Sequence, residues 1–232
     1  ETVRHQLCNS DCCLLDAYRY SLLNESFMTA GRHVQGRFCW TPLPDWVVQA
    51  LPCFSGNDEG HKVPASIFLP EGLMPYQQLA VRRALAQDGR ILLADEMGLG
   101  KTAQALAIVM QYLDTEGPAL VVTPTSLGAV WRQQVHQWLK GLKKSDVQLA
   151  TSAKDKPRDA RIVIVSYALF SRAKGQWSVT ARGDPWKIVV CDEAHYLRNP
   201  TSQRTKALLP LLHQARRKIL ITGTPTPKQA SE

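Results

Sequence analysis

The sequence predicts an α/β fold in which a parallel sheet is covered by helices. Short apolar runs recur along the chain without alternating polar residues, which is typical of strands buried on both faces. Helical patterns separate these runs, and this alternation of strands and helices indicates a parallel sheet. The predicted strands are residues 91–94, 119–124, 161–167, 187–193 and 218–223.

Two of the intervening helices have a clear apolar face. The first begins at Lys101, and its apolar residues recur along one side as far as Leu113. For the second, Ser126 is the expected N-cap, and Trp131 and Trp138 belong to a series of apolar residues spaced three and four apart. We interpret both tryptophans as core residues and not as platforms on which nucleic-acid bases stack.

A less regular flank, residues 1–69, precedes this region, and we assign it no function. Five of the six cysteines lie between residues 8 and 53, and the sixth, Cys191, lies in a predicted strand. This distribution favours free thiols over a disulfide framework. The flank has no C-x2-C pair of the usual structural kind, so we expect buried free cysteines there. The alternative is a zinc site drawn from His5, Cys8, Cys12, Cys13, His33 and Cys39.

Composition leaves the binding partner open. The net charge of +8 and the pI near 9.3 allow a polyanionic partner, and the alternative is a basic surface that water solvates. No run approaches the roughly 18 consecutive apolar residues of a membrane span, and nothing near the first residue resembles a signal peptide. Because that residue is Glu1, we expect the natural N-terminus to be missing or processed.

The strongest functional signal is LLADEMGLGKT, residues 92–102. A loop with two glycines joins a buried strand to a helix, so backbone N–H groups and the positive helix end can surround phosphates. Lys101 would reach the β- and γ-phosphates of a nucleotide, and the Thr102 hydroxyl would bind Mg²⁺. The strict pattern has glycine where Asp95 stands. The predicted binding loop is Asp95, Glu96, Met97, Gly98, Leu99, Gly100, Lys101 and Thr102.

Two further motifs follow at predicted strand ends. In IVVCDEAH, Asp192 can hold Mg²⁺ and Glu193 can take a proton from an attacking water, although an acidic pair at a strand end is common. In ITGTP, small hydroxyl residues flank a glycine, which alone would be an ordinary turn. After the first two motifs, we interpret it as a coupling element that senses the carboxylates, comprising Thr222, Gly223 and Thr224.

These three motifs, in this order, resemble the first motor lobe of the superfamily two helicases. DEMGLGKT is similar to the Swi/Snf-related branch, whose members carry acidic residues where strict phosphate loops carry glycine, so Asp95 fits that branch. The stretch at residues 208–225 resembles the HARP-related annealing helicases, motors that rewind DNA and remodel stalled replication forks. The resemblance implies a RecA-like lobe over residues 70–232, ATP and Mg²⁺ as ligands, and branched or forked DNA as partner.

The resemblance also implies roles for residues outside the three motifs. Gln77, in LMPYQ, would face the adenine base, and His195 would help to link the nucleotide state to lobe closure. Two segments that follow strands would contact the DNA strand along which the motor moves. Their candidate residues are Pro124, Thr125, Ser126, Ser166 and Tyr167.

The family's second lobe supplies arginines that complete the ATP site, and no such lobe is recognisable before Glu232. An arginine of this kind is worth about 10³–10⁵ in rate, so we expect the 232-residue chain alone to hydrolyse ATP hardly at all. A nuclear location follows only from the resemblance. Two alternatives remain open: an RNA helicase with the Asp-Glu-Ala-His signature, and an adaptor that binds nucleotide or DNA without turnover.

Overall fold

A computed structural model describes residues 67–173 and 175–223. These residues contain a six-stranded sheet in the order β1-β6-β5-β2-β4-β3, in which every neighbouring pair is parallel. The predicted α/β class is therefore confirmed. The strands are β1 (Arg90–Leu93), β2 (Ala119–Thr123), β3 (Val147–Leu149), β4 (Ile162–Ser166), β5 (Ile188–Cys191) and β6 (Arg217–Ile221).

Helices cover both faces of this sheet. The α-helices of the described residues are α1 (Pro75–Ala86), α2 (Lys101–Glu116), α3 (Gly128–Trp138), α4 (Tyr167–Arg172) and α5 (Gln203–Gln214). Short 3-10 turns lie at Thr125–Leu127, Lys144–Asp146 and Ala194–Leu197. The first three helices pack on one face of the sheet, and α4 and α5 pack on the other.

The strands are apolar throughout because successive side chains enter two different cores. In β2, Val121 packs with the layer of α1, α2 and α3, whereas Leu120 and Val122 pack with the layer of α4 and α5. All three side chains are fully buried. Two-sided burial removes the polar alternation of a half-exposed strand, which is why unbroken apolar runs predicted these strands correctly.

Two sequence expectations need correction. Strand β3 was missed because it has three residues and carries Gln148, whose side chain bonds the loop that covers this sheet edge: Gln148 Nε2 donates to the Lys156 carbonyl at 2.8 Å. Ser126 is also not the N-cap of α3. It lies exposed in the turn Thr125–Leu127, and the helix begins after that turn at Gly128.

The interpretation of the two tryptophans as core residues is confirmed for Trp131, which is 2% exposed. Trp138 is half-buried and packs against the same core. Cys191 is a buried free thiol, as expected. Within the described residues, no helix has the length and apolar character needed to cross a membrane.

The zinc alternative and the flank boundary cannot be followed in the structure. The histidines and cysteines of the flank, His5, Cys8, Cys12, Cys13, His33 and Cys39, lie outside the described residues. Residues 1–69 and 70–232 therefore stay predicted divisions of the chain.

Candidate active site

The strand order brings the three sequence motifs to one edge of the sheet. Strand β6 lies between β1 and β5, and all three strands are parallel. The loop after β1, residues 222–223 after β6 and the acidic pair after β5 therefore emerge side by side at the carboxyl ends of the strands. This edge is where open α/β sheets bind ligands.

Two glycines shape the loop that follows β1. Gly98 and Gly100 have φ values of +89° and +70°, in the left-handed region that glycine adopts without a steric penalty. A β-carbon at Gly100 would also collide with the amide nitrogen of Gln77. Gly100 is the residue from which α2 begins, so the loop delivers free backbone N–H groups at a helix N-terminus.

Lys101 points back into this loop. Its Nζ donates to the carbonyl oxygens of Asp95 and Glu96, at 2.7 Å each. Burial lowers the pKa of Lys101, and the nearby carboxylates of Asp95, Glu193 and Asp192 act in the opposite direction. The ammonium is thus held at the loop by neutral carbonyls, which charged phosphate oxygens would replace with stronger, charge-assisted bonds.

Asp95, the residue that departs from the strict phosphate-loop pattern, contacts the helix that follows the loop. Its side chain is buried, and Gln104 Nε2 of α2 donates to Asp95 Oδ2 at 3.1 Å. This hydrogen bond therefore links the loop to α2. Gln104 was not among the predicted site residues, although its position one turn into the helix, on the side of the loop, was a usable signal.

Gln77 contacts the phosphate loop, and its proposed contact with adenine stays a prediction. Its Oε1 accepts from the Met74 N–H at 2.9 Å, and its Nε2 donates to the Leu99 carbonyl at 3.1 Å. The Tyr76 hydroxyl donates to the same carbonyl at 3.2 Å. These bonds fix the start of α1 against the phosphate loop.

The carboxylate of Asp192 is held by side chains from two other elements. Its Oδ2 accepts from Trp131 Nε1 at 2.7 Å and from Thr123 Oγ1 at 3.1 Å, and its Oδ1 accepts from the Glu193 N–H at 3.0 Å. Burial raises the pKa of Asp192, and the bonds from Trp131 and Thr123 oppose that rise. Motif spacing could not reveal Trp131 as a partner, because it lies 61 residues away in sequence.

Glu193 has a strained backbone. Its φ of +49° is in the left-handed region, which for a residue with a β-carbon costs about 1–3 kcal/mol. The turn directs its side chain toward the helical turn that follows, where His195 Nδ1 lies 3.1 Å from Glu193 Oε2. Strain of this kind is concentrated at functional sites, so it supports a role for Glu193 in chemistry.

The predicted coupling residues connect the acidic pair with the phosphate loop. His195 Nδ1 lies 3.4 Å from Thr222 Oγ1, and the Thr222 N–H donates to the Leu93 carbonyl at 3.0 Å. A β-carbon at Gly223 would come within 2.7 Å of Met97 Cγ, so the backbone there passes directly against the loop. Thr224 lies outside the described residues.

The residues expected to contact nucleic acid divide into two groups. Thr125 and Ser126 are exposed and Pro124 is half-exposed, directly after β2. Ser166 and Tyr167 are buried: Ser166 caps α4, and the Tyr167 hydroxyl donates to the Asp192 carbonyl at 2.7 Å. Their contact with nucleic acid stays a prediction, and in this structure Tyr167 supports the acidic motif instead.

The donor set at this edge fits Mg²⁺ held together with a nucleotide. No cluster of three or more His, Cys, Asp or Glu residues able to bind a metal occurs in residues 67–173 and 175–223. Mg²⁺ in nucleotide sites commonly takes one or two protein oxygens, with phosphates and water supplying the rest. Asp192 Oδ1 retains acceptor capacity beyond its one bond from Glu193, and Thr102 is half-buried at the start of α2.

A family model identifies the kind of domain to which most of the chain belongs. The model of the SNF2-related domain matches residues 76–232. The chain belongs to that family. The resemblance of its motifs to the Swi/Snf-related branch is therefore confirmed.

Similar curated proteins include two kinds of long relative. The chain is 41% identical over 164 residues to the SWI/SNF-related matrix-associated actin-dependent regulator of chromatin subfamily A-like protein 1 of Bos taurus, covering 71% of the chain and 17% of the relative. It is 34% identical over 164 residues to the DNA annealing helicase and endonuclease ZRANB3 of Homo sapiens, covering 68% of the chain and 15% of the relative. The chain thus spans less than a fifth of either protein.

Solved structures agree on the fold. The Sulfolobus solfataricus SWI2/SNF2 ATPase core in complex with dsDNA matches with a TM-score of 0.57 and 26% identity, covering 71% of this chain and 34% of that one. The UvsW helicase from bacteriophage T4 matches with a TM-score of 0.53 over 90% of this chain and 72% of that one. Its identity of 15% makes it evidence for the fold alone. Both matches agree with the RecA-like lobe that the sequence predicted.

Proposed function

We propose that this chain is the ATP-binding lobe of a DNA-dependent ATPase that moves along DNA and remodels branched DNA such as replication forks. The observation that carries the proposal is that Lys101, after β1, lies at the same sheet edge as Asp192 and Glu193, after β5, and within reach of their charges, in a chain of the SNF2-related family. The names of relatives support the DNA part, since one is an annealing helicase and one solved core is in complex with dsDNA. Relatives named as regulators of chromatin support action in the nucleus.

Nucleotide binding would be the work of the loop after β1. Backbone N–H groups around Gly98 and Gly100 surround the phosphates, and the Lys101 ammonium exchanges its two carbonyl partners for phosphate oxygens. Gln77 lies against the same loop and would read the adenine base. Asp192 and Thr102 would hold Mg²⁺, which when bound neutralises charge on the β- and γ-phosphates.

Glu193 would act as the general base. In hydrolysis the water oxygen attacks the γ-phosphorus, the bond from that phosphorus to the ADP oxygen breaks, and a water proton passes to the Glu193 carboxylate. His195 lies 3.1 Å from that carboxylate and 3.4 Å from the Thr222 hydroxyl. Through these contacts, a change at Glu193 would reach the end of β6 and, through Gly223 and Thr224, the segment that follows.

The DNA contact would be made by the exposed turn after β2. Thr125 and Ser126, which follow Pro124, offer hydroxyls and backbone N–H groups of the kind that bind backbone phosphates. Such contacts do not read base sequence, so binding should tolerate any sequence and should weaken as salt is raised.

The experiment is to measure ATP hydrolysis by the full-length protein that carries this lobe, with forked DNA, linear duplex DNA, RNA or no nucleic acid. The comparison variant is Glu193→Gln, which removes the base and keeps the size of the side chain. We expect strongest stimulation by forked DNA, and a loss of turnover of about 10²–10⁴-fold in the variant without loss of nucleotide binding.

Each of the other possible results would assign the chain a different function. Stimulation by RNA alone would assign the chain to the RNA helicases. Nucleotide binding without turnover under any condition would leave an adaptor. Equal stimulation by linear and forked DNA would keep the DNA motor and remove the preference for forks.

A further inference from the structure

Trp131 bonds the acidic motif in addition to packing in the core. It lies in the first turns of α3, and its Nε1 donates to Asp192 Oδ2 at 2.7 Å. Both side chains are buried, with exposed fractions of 2% and 7%. A buried indole N–H needs one acceptor, and here the acceptor is the carboxylate that the proposed function assigns to Mg²⁺.

This bond restricts which oxygen of the carboxylate stays available. An ionised carboxylate has about four acceptor positions on its two oxygens. Oδ2 accepts from both Trp131 and Thr123, whereas Oδ1 accepts one bond from the Glu193 N–H. Trp131 therefore helps to fix the rotation of the carboxylate and leaves the remaining acceptor capacity at Oδ1.

The turn that precedes α3, the helix of Trp131, is at the surface. The turn Thr125–Leu127 runs directly into α3 at Gly128, so the exposed Ser126 and the buried Trp131 belong to one continuous helical stretch. A β-carbon at Gly128 would come within 2.9 Å of Leu149 Cδ1, which shows how closely this stretch packs on β3. A displacement of the turn would thus move the indole, because a short helical stretch moves as a unit.

We propose that Trp131 is a positioning residue through which DNA bound at residues 124–127 sets the orientation of the Asp192 carboxylate. The proposal rests on the proposed function and adds the route by which DNA regulates the ATP site. Trp131 touches neither DNA nor nucleotide in this account. It acts only through Asp192.

The chain supplies a matched control in the same helix. Trp138 is half-buried, and its Nε1 donates to Gln134 Oε1 at 3.0 Å, within α3 itself. Trp131→Phe and Trp138→Phe therefore remove the same group from the same helix. Only the first change removes a donor from Asp192.

The first test measures ATP hydrolysis and duplex DNA binding by the full-length protein. In Trp131→Phe, the ratio of DNA-stimulated to DNA-free kcat should fall about tenfold, which is what a hydrogen bond to a charged group is worth. The Mg²⁺ concentration for half-maximal activity should rise, and the Kd for DNA should stay near the wild-type value. Trp138→Phe should match the wild type in all three measurements.

The second test does not depend on turnover. In ¹⁵N-labelled 232-residue chain, the indole resonance of Trp131 is identified by its loss in Trp131→Phe. Added duplex DNA should shift this resonance in a saturable manner, and the Trp138 indole resonance should move less. No shift of the Trp131 resonance at saturating DNA would overturn the proposal.

Other outcomes separate the inference from the proposed function. A folded Trp131→Phe protein with wild-type stimulation and Mg²⁺ dependence would overturn the inference and leave the function standing. A parallel loss of DNA affinity would mean direct contact and would also overturn it. If Trp131→Phe does not fold, Thr123→Val removes the other side-chain donor to Oδ2 and must reduce stimulation. Absence of any DNA stimulation in the wild type would overturn the proposed function itself.

Discussion

Buried charged side chains have different hydrogen-bond partners at the two ends of the strands. At the amino ends of the strands, Arg217 is buried and forms bonds to Glu116 Oε2 at 3.0 Å and Oε1 at 2.5 Å. It also donates to the Asp88 carbonyl at 2.6 Å and lies 4.2 Å from the centre of the Tyr112 ring. Each of the three guanidinium nitrogens thus donates to an oxygen, which is the kind of pairing that a buried structural ion pair requires.

At the carboxyl ends of the strands, Lys101 and Asp192 make their hydrogen bonds to neutral groups. Lys101 donates to two backbone carbonyls, and Asp192 accepts from an indole, a hydroxyl and a backbone N–H. Burial lowers the pKa of Lys101 and raises that of Asp192, so each environment disfavours the charged form. We expect a charge paired with its opposite to serve stability, and a charge kept on neutral partners to be prepared for a ligand.

The largest effect should come from breaking the structural pair. Arg217→Ala leaves the buried Glu116 with only the longer 3.7 Å contact to Arg216, and this should lower the free energy of unfolding by up to about 3–5 kcal/mol. Urea denaturation measures the loss. The control is Arg182→Ala, whose exposed pair with Asp159 should contribute at most about 1 kcal/mol. Equal effects of the two substitutions would contradict the structural role of Arg217.

A smaller effect, on ligand binding, is expected from Lys101→Ala. The variant loses the charged bonds to phosphate, worth about 1.5–3 kcal/mol, and should bind Mg·ADP about tenfold to a hundredfold more weakly. Its unfolding free energy should stay close to that of the wild type, because only carbonyl contacts are lost. Lys140→Ala, at an exposed lysine 3.7 Å from Glu71, should bind Mg·ADP normally. Unchanged affinity in Lys101→Ala would remove Lys101 from the site.

The smallest expected effect is a change of stability with pH that depends on Asp192. Because burial raises the pKa of Asp192 in the folded chain, the folded state binds its proton more tightly than the unfolded state does. The wild type should therefore lose stability as pH rises from below 3.8, the ordinary value, through the raised pKa. Asp192→Asn does not titrate, so its stability relative to the wild type should increase across this window.

Asp155 provides the control of opposite sign. Backbone N–H bonds from Thr151 and Ser152 lower the pKa of Asp155, so its contribution to stability is present above the ordinary value and is lost as pH falls. Asp155→Asn should therefore be less stable than the wild type at neutral pH, with the difference vanishing in acid. Thermal unfolding at several pH values, in EDTA and without nucleotide, measures both variants. The same sign for both would contradict the assignment of Asp192 as a desolvated carboxylate.

The sequence predicted those parts of the molecule that local patterns encode. Apolar runs located five strands, and their ends located Lys101, Asp192 and Glu193, because parallel strands deliver their ends to one edge. The three-residue β3 carries too little pattern to be recognised. Ser126 looked like an N-cap by residue type, but the 3-10 turn delays the start of the helix to Gly128.

The contacts that complete the site could not be predicted in the same way. Trp131 and Asp192 are 61 residues apart, and Arg217 and Glu116 are 101 residues apart. Nothing in either local sequence distinguishes an indole that bonds a carboxylate from one that only fills space. Such pairs follow from the register of the sheet and the packing of α3, which appear only when the chain has folded.

The most direct test of the contrast between the two edges is the assigned amide spectrum of the chain during titration with Mg·ADP. We expect the largest shifts at Gly98, Gly100, Lys101 and Thr102, with smaller shifts at Asp192 and Glu193 and essentially none at Glu116 and Arg217. Absence of shifts in the loop after β1 at saturating nucleotide, or larger shifts at the Arg217 edge, would contradict this expectation.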